Sequence, residues 1–138
     1  MTRRTSAHGR VRPPLTELES DVMHAVWDAG PSAVEAVHLA VSRRRKLKEA
    51  TIRTILRRLE QKGYLEHHSE GRAYVYSALA PARSLAARAV RQIIDRFCRG
   101  SVEELISGMV EAKVLNDREL KALEDVIRER KGRSRAAD

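Results

Sequence analysis

From Ala50 to Ser77 the chain changes periodicity once, and that change limits what it can become. Ile52, Ile55, Leu56 and Leu59 recur at i, i+3, i+4 and i+7, the spacing of one apolar helical face. The opposite face carries Ala50, Thr54, Arg57 and Gln61, flanked by Thr51, Arg53 and Arg58. Lys62-Gly63 supplies a basic last turn and a glycine stop. Two short strands are then predicted, Tyr64 to His68 and Ala73 to Ser77. Ser69-Glu70-Gly71-Arg72 links them, with glycine where a hairpin wants positive φ. A helix of this kind docks its apolar face on a core and presents its basic face outward. The hairpin directly behind it can lie beside the same surface.

Charge singles out the same region. The chain has 138 residues and a net charge of +8. Residues 43 to 62 hold nine basic side chains (Arg43, Arg44, Arg45, Lys46, Lys48, Arg53, Arg57, Arg58, Lys62) against Glu49 and Glu60, leaving +1 for all the rest. Basic charge confined to one helix and the loop before it is the footprint expected for a phosphate backbone.

Around this centre the pattern is helical. Residues 1–14 carry Arg3, Arg4, Arg10, Arg12 and two prolines without an acid, and are expected to form a basic flexible arm. Thr16 and Glu19 make a capping box, with Leu15 at the staple position. Leu18, Val22, Ala25 and Val26 follow at helical spacing, with Trp27 expected in the core. Ser32 and Glu35 suggest a second capping box, opening a helix with Val34, Val37 and Val41 on one stripe. His38, beside that stripe, is expected to be structural.

After the hairpin, Pro81 sits near the start of a fourth helix that stops at Gly100. Ser101 with Glu104, and Asn116 with Glu119, suggest caps for a fifth and a sixth. The stripes of these last three helices (Leu85, Val90, Ile93, Ile94, Phe97; Leu105, Ile106, Met109; Leu120, Leu123, Val126, Ile127) close no obvious core of their own. A second copy of the chain is the expected partner, so these are the candidate dimerisation residues.

The expected fold is therefore mainly α with a small β-hairpin. A winged helix-turn-helix domain over 15–80 precedes a three-helix dimerisation domain over 81–131 and a polar tail over 132–138. The expected partner is double-stranded DNA, read by the third helix in the major groove. Lys48, Arg53, Lys62 and Arg72 suit phosphates, which position a protein without reading sequence. Thr51, Thr54, Arg57 and Arg58 suit base edges. No apolar run reaches the ~18 residues of a membrane span, and the N-terminus lacks the apolar stretch of a signal peptide, so a cytoplasmic protein is expected.

The segments LTELESDVMHAVWDAG, TIRTILRRLEQKGYL, GRAYVYS and FCRGSVEELISGMVEAKVLNDRELKALEDVI, in that order, resemble the BlaI/MecI penicillinase repressor family from Leu15 to about Lys131. The resemblance implies a homodimeric winged-helix repressor on an operator with dyad symmetry. It implies DNA-reading residues at Thr51, Arg53, Thr54 and Arg58; the helical wheel adds Arg57. It also implies a membrane-bound zinc metalloprotease sensor as partner and regulatory cleavage at the position of Gly108-Met109. The resistance repressors carry asparagine before a bulky aromatic at that bond; here glycine precedes methionine.

Other classes have less behind them. A metal- or redox-responsive winged-helix regulator would draw on His24, His38, His67, His68 and Cys98. His67 and His68 are neighbours on a strand and face opposite ways, and one cysteine makes neither a disulfide nor a multi-cysteine zinc site. A protein-interaction module would leave the basic window unexplained. An enzyme would need a phosphate loop, a nucleophile motif or paired carboxylates, and the acids fall instead at helix starts. No cofactor and no metal are expected.

Overall fold

The computed structural model describes residues 12–137, which separate into two compact units within one helix, after Val90. In the first unit, α1 spans Glu17–Ala29, β1 Ser32–Ala33, α2 Val34–Val41, α3 Glu49–Gln61, β2 Leu65–Glu70 and β3 Ala73–Ala78. α4, Ala82–Phe97, crosses the boundary. α5, Val102–Glu111, and α6, Asp117–Ala137, belong to the second unit.

Local signals account for most of the boundaries. The Thr16 hydroxyl accepts from the Glu19 N–H at 3.1 Å, and Glu19 Oε1 accepts from the Thr16 N–H at 2.9 Å. Both halves of that capping box are therefore made. α1 stops at Gly30, at φ 85°. α3 is followed by Gly63 at φ 88°. The same reciprocal cap forms between Asn116 and Glu119 before α6.

The expected Ser32–Glu35 box does not form. Ser32 and Ala33 are instead a short edge strand, paired antiparallel with Tyr76 and Val75. α2 begins one residue later, without a side-chain cap, and the Ser32 hydroxyl donates to the Gly30 carbonyl at 2.7 Å. Pairing with β3 holds Ser32 and Ala33 as strand and so moves the helix start to Val34. The sheet thus has three strands in the order β1-β3-β2. The hairpin register runs from Leu65 opposite Ala78 to Glu70 opposite Ala73, so only Gly71 and Arg72 lie in the turn. The strands are longer than expected and the tip is tighter.

The core of the first unit gathers Val22, Met23 and Val26 from α1, Val34, Val37 and Val41 from α2, and Ile52, Ile55, Leu56 and Leu59 from α3. Tyr64, Leu65 and Tyr76 join from the sheet side. Each such aliphatic side chain contributes roughly 1.5–3 kcal/mol when fully buried. Trp27 packs at the edge of this core and donates Nε1–H to the Ala80 carbonyl at 3.0 Å. Leu85 packs there too. It was expected among the dimerisation residues, but it belongs to the winged core. The first unit therefore runs to Val90, more than two helical turns into α4 and past the expected boundary at residue 80.

In the second unit, Ile94 is already buried, whereas Phe97 is 82% exposed. Val90 at the end of the first unit and Ile93, Val102, Val110, Val126 and Ile127 in the second are also exposed. Leu105, Ile106, Met109, Leu120 and Leu123 are half-buried. The expected polar tail is not separate from α6, which continues to Ala137. Gly132 costs that helix about 1 kcal/mol relative to alanine, and i,i+4 pairs such as Arg133–Glu129 at 2.6 Å help offset it. Of the basic arm expected over 1–14, residues 1–11 lie outside the described residues. No helix among the described residues is long and apolar enough to cross a membrane.

Candidate nucleic-acid interface

α3 is held by its buried side and its two ends. Ile52, Ile55, Leu56 and Leu59 are all at most 2% exposed. The other side leaves Arg53, Thr54, Arg57 and Arg58 exposed and Thr51 half-buried. The structure brings together on one surface every residue expected to read bases. The Thr54 hydroxyl donates to the Ala50 carbonyl at 3.2 Å, so its oxygen remains able to accept. Arg53 forms an i,i+4 pair with Glu49 at 3.0 Å. Lys48, the N-cap residue, is exposed at the entry to the helix.

The loop before α3 is tied down at two points. His38 Nε2–H donates to the Leu47 carbonyl at 2.6 Å, so His38 is structural as expected. Arg45 donates to Asp21 of α1, also at 2.6 Å. Within the basic loop, Arg45 thus anchors the turn, whereas Arg43, Arg44 and Lys46 are exposed.

The far end of α3 is tied to the chain before α1. Lys62 donates to Glu19 Oε1 at 2.6 Å and to the Pro14 carbonyl at 3.2 Å. Arg12 donates to the Gly63 carbonyl at 2.8 Å, and the Tyr64 hydroxyl donates to the Pro13 carbonyl at 2.6 Å. Burial pushes the Tyr64 phenol above its ordinary pKa, which keeps it a donor. Arg12 to Pro14 are therefore a strap across the exit of α3. Lys62, expected at a phosphate, turns its ammonium inward.

Glu19 is the centre of this end and is fully buried. Burial pushes its pKa up, but hydrogen bonds from Lys62 and from the Thr16 N–H outweigh it, and the carboxyl lies below its ordinary value. Its Oε2 is buried without a hydrogen-bond partner. Arg58 Nη1 lies 3.9 Å from that oxygen.

The hairpin is fixed to the same helix. His67 Nδ1 lies 2.7 Å and 2.9 Å from the two Glu60 oxygens, and its ring packs 4.4 Å from Tyr74 and 5.5 Å from Tyr76. His68 faces Glu70 instead, at 3.0 Å. The two histidines are thus engaged separately, and no cluster of three or more His, Cys, Asp or Glu suited to a metal occurs among the described residues. At the tip, Gly71 adopts φ 62° and Arg72 is exposed. Arg72 and Arg53 line one cleft of about 390 Å³ with Val34, Glu35, Ala73 and Tyr74.

Sequence reasoning missed Arg12, Asp21 and the inward role of Lys62. None has a local signature, because each partner lies 24 to 51 positions away. Glu19 was legible only as a helix cap.

A three-helix core, a three-stranded antiparallel sheet with β1 at its edge, and a basic helix flanked by a hairpin define a winged helix-turn-helix protein. The penicillinase repressor family profile matches residues 15–129, and the chain belongs to that family. It is a DNA-binding transcriptional repressor and not an enzyme. It is 27% identical to the penicillinase repressor of Bacillus licheniformis over 123 residues, covering 89% of this chain and 96% of that protein. It is 20% identical to the methicillin resistance regulatory protein MecI of Staphylococcus aureus strain N315, covering 82% and 92%. Among solved structures, the DNA-binding domain of the repressor BlaI is 32% identical. It covers 53% of this chain and 89% of its own, with a TM-score of 0.48.

Proposed function

We propose that the chain represses transcription as a homodimer on a dyad-symmetric operator, with one α3 in the major groove of each half-site. Thr51, Thr54, Arg57 and Arg58 read base edges, and Lys48, Arg53 and Arg72 bind phosphates. Arg53 stands near both roles, since it lies on the flank of α3 and shares the wing cleft with Arg72. Lys62 acts indirectly, by holding the exit of the helix. One observation carries the reading: α3 buries four aliphatic residues on one side and presents threonines and arginines on the other, beside the wing. A relative supports it, since the Bacillus licheniformis BlaI monomeric form is described in complex with the blaP half-operator.

Dimerisation falls to the exposed apolar side chains of Val90, Ile93, Phe97, Val126 and Ile127, together with the half-buried Leu105, Ile106, Met109, Leu120 and Leu123. Repression is relieved by an inducing signal that these residues do not name; proteolysis by a membrane metalloprotease sensor would fall at Gly108-Met109, which lacks the asparagine–aromatic pair of the resistance repressors. That bond lies inside α5, so cleavage requires local opening of the helix. Cutting there would separate the end of α5 and all of α6 from the DNA-binding unit.

Selection of bound duplexes from a random pool tests the reading directly. Two inverted half-sites about one helical turn apart, or a multiple of it, are expected. A pool that stays random through selection would remove sequence-specific recognition.

A further inference from the structure

Glu19 carries a charge that its local structure does not require. A glutamine at the third helical position completes a capping box as well as a glutamate does. The cap and Lys62 both use Oε1, at 2.9 Å and 2.6 Å. Oε2 is buried and receives no hydrogen bond, an arrangement that costs desolvation without local return. Arg58 on the outward side of α3 approaches that oxygen, with Nη1 3.9 Å away. That is too far for a hydrogen bond but close for Coulomb attraction beside a low-dielectric core. The Arg58 side chain is 51% exposed, so its N–H groups remain free for a base edge while its direction is biased.

We propose that Glu19 is a positioning residue for operator reading: its buried Oε2, which receives no hydrogen bond, holds the Arg58 guanidinium in the orientation from which it meets a base. The inference rests on Arg58 reading a base, as proposed above. Arginine recognises guanine through a planar fork, and a fork already oriented loses less freedom on binding. The same carboxylate fixes the exit of α3 through Lys62, so helix and guanidinium are referenced to one point.

The test uses the full chain, the selected operator duplex and a scrambled duplex, with affinities measured by fluorescence anisotropy. Arg58→Ala should lower the ratio of specific to non-specific affinity by about 5- to 100-fold. Glu19→Gln, which keeps the cap, should lower that ratio about 3- to 10-fold, a part of what the whole contact supplies. Non-specific affinity should hold or rise, because a negative charge is lost near the basic face. In the Arg58→Ala background, Glu19→Gln should change the ratio no further. An unchanged ratio in the single variant, or an equal fall in both backgrounds, overturns the positioning role while leaving base reading intact. An unchanged ratio for Arg58→Ala removes the underlying reading and the proposal with it. A second measurement leaves Glu19 in place, so the fold is not at risk. The Glu19 carboxyl, followed by carbon-detected NMR, should titrate at higher pH in Arg58→Ala than in the parent chain. Coincident titrations overturn the electrostatic hold.

Discussion

Replacing Lys62 with methionine removes the cation that, among the described residues, is hydrogen-bonded to Glu19, and keeps most of the aliphatic stem. The Glu19 side chain is 1% exposed, so its charge cannot recover by turning to water. Breaking a fully buried pair from one side typically costs about 3–5 kcal/mol. Lys62 itself is 21% exposed, and Arg58 remains nearby, so about 2–4 kcal/mol is expected at pH 7. For a unit of this size each kcal/mol lowers Tm by roughly 4–8 °C, which makes the loss easy to measure. The pH dependence identifies the cause. In the parent chain the folded Glu19 pKa lies below its ordinary value. Its stabilisation is therefore present above the unfolded pKa and fades as pH falls through the folded one. In the variant the ammonium no longer holds that pKa down, so the folded carboxyl protonates at higher pH than in the parent chain. The pairing lost at neutral pH then matters less as protonation proceeds on lowering the pH. The difference between the two proteins should shrink from pH 7 toward pH 4. Trp27, the only tryptophan, reports on the first unit, so urea titrations followed by its fluorescence give both numbers. A difference under about 1 kcal/mol, or one that does not change with pH, would refute the reasoning.

Three further outcomes are expected. Arg57→Ala should flatten the preference among operator variants, at about 1–3 kcal/mol for a lost bidentate contact; equal falls in specific and non-specific binding would move Arg57 to the phosphates. Arg72→Ala at the wing tip should weaken all duplexes alike and reduce the slope of log affinity against log salt by about 0.9, whereas an unaltered slope argues against a phosphate contact. Phe97→Glu, at a side chain already 82% exposed, should leave helix content intact and shift sedimentation toward monomer; an unchanged dimer would place the interface elsewhere.

The parts of the fold legible in the sequence are those in which neighbours in the chain are also neighbours in space. The Thr16–Glu19 and Asn116–Glu119 boxes, the apolar side of α3 and the glycine at the hairpin tip each complete within a few residues, so propensity and periodicity decide them. Ser32 shows where this stops. Its local pattern matches a cap, but Tyr76 lies within reach in the folded chain, and strand pairing takes the backbone instead. Leu85 belongs to a helical stripe that looks unpartnered in one dimension and meets the winged core in three.

The helix-and-hairpin unit with its concentration of charge, from Ala50 to Ser77, was determined by the sequence alone. One face of that helix had to be buried, and the arginines could only lie on the other. Tertiary structure decided which of the basic residues are free to meet a ligand. Arg12, Arg45 and Lys62 are drawn to Gly63, Asp21 and Glu19, while Arg57 and Arg72 remain exposed. Formal charge is written residue by residue, but whether a charge is spent inside the fold depends on partners that only folding brings near.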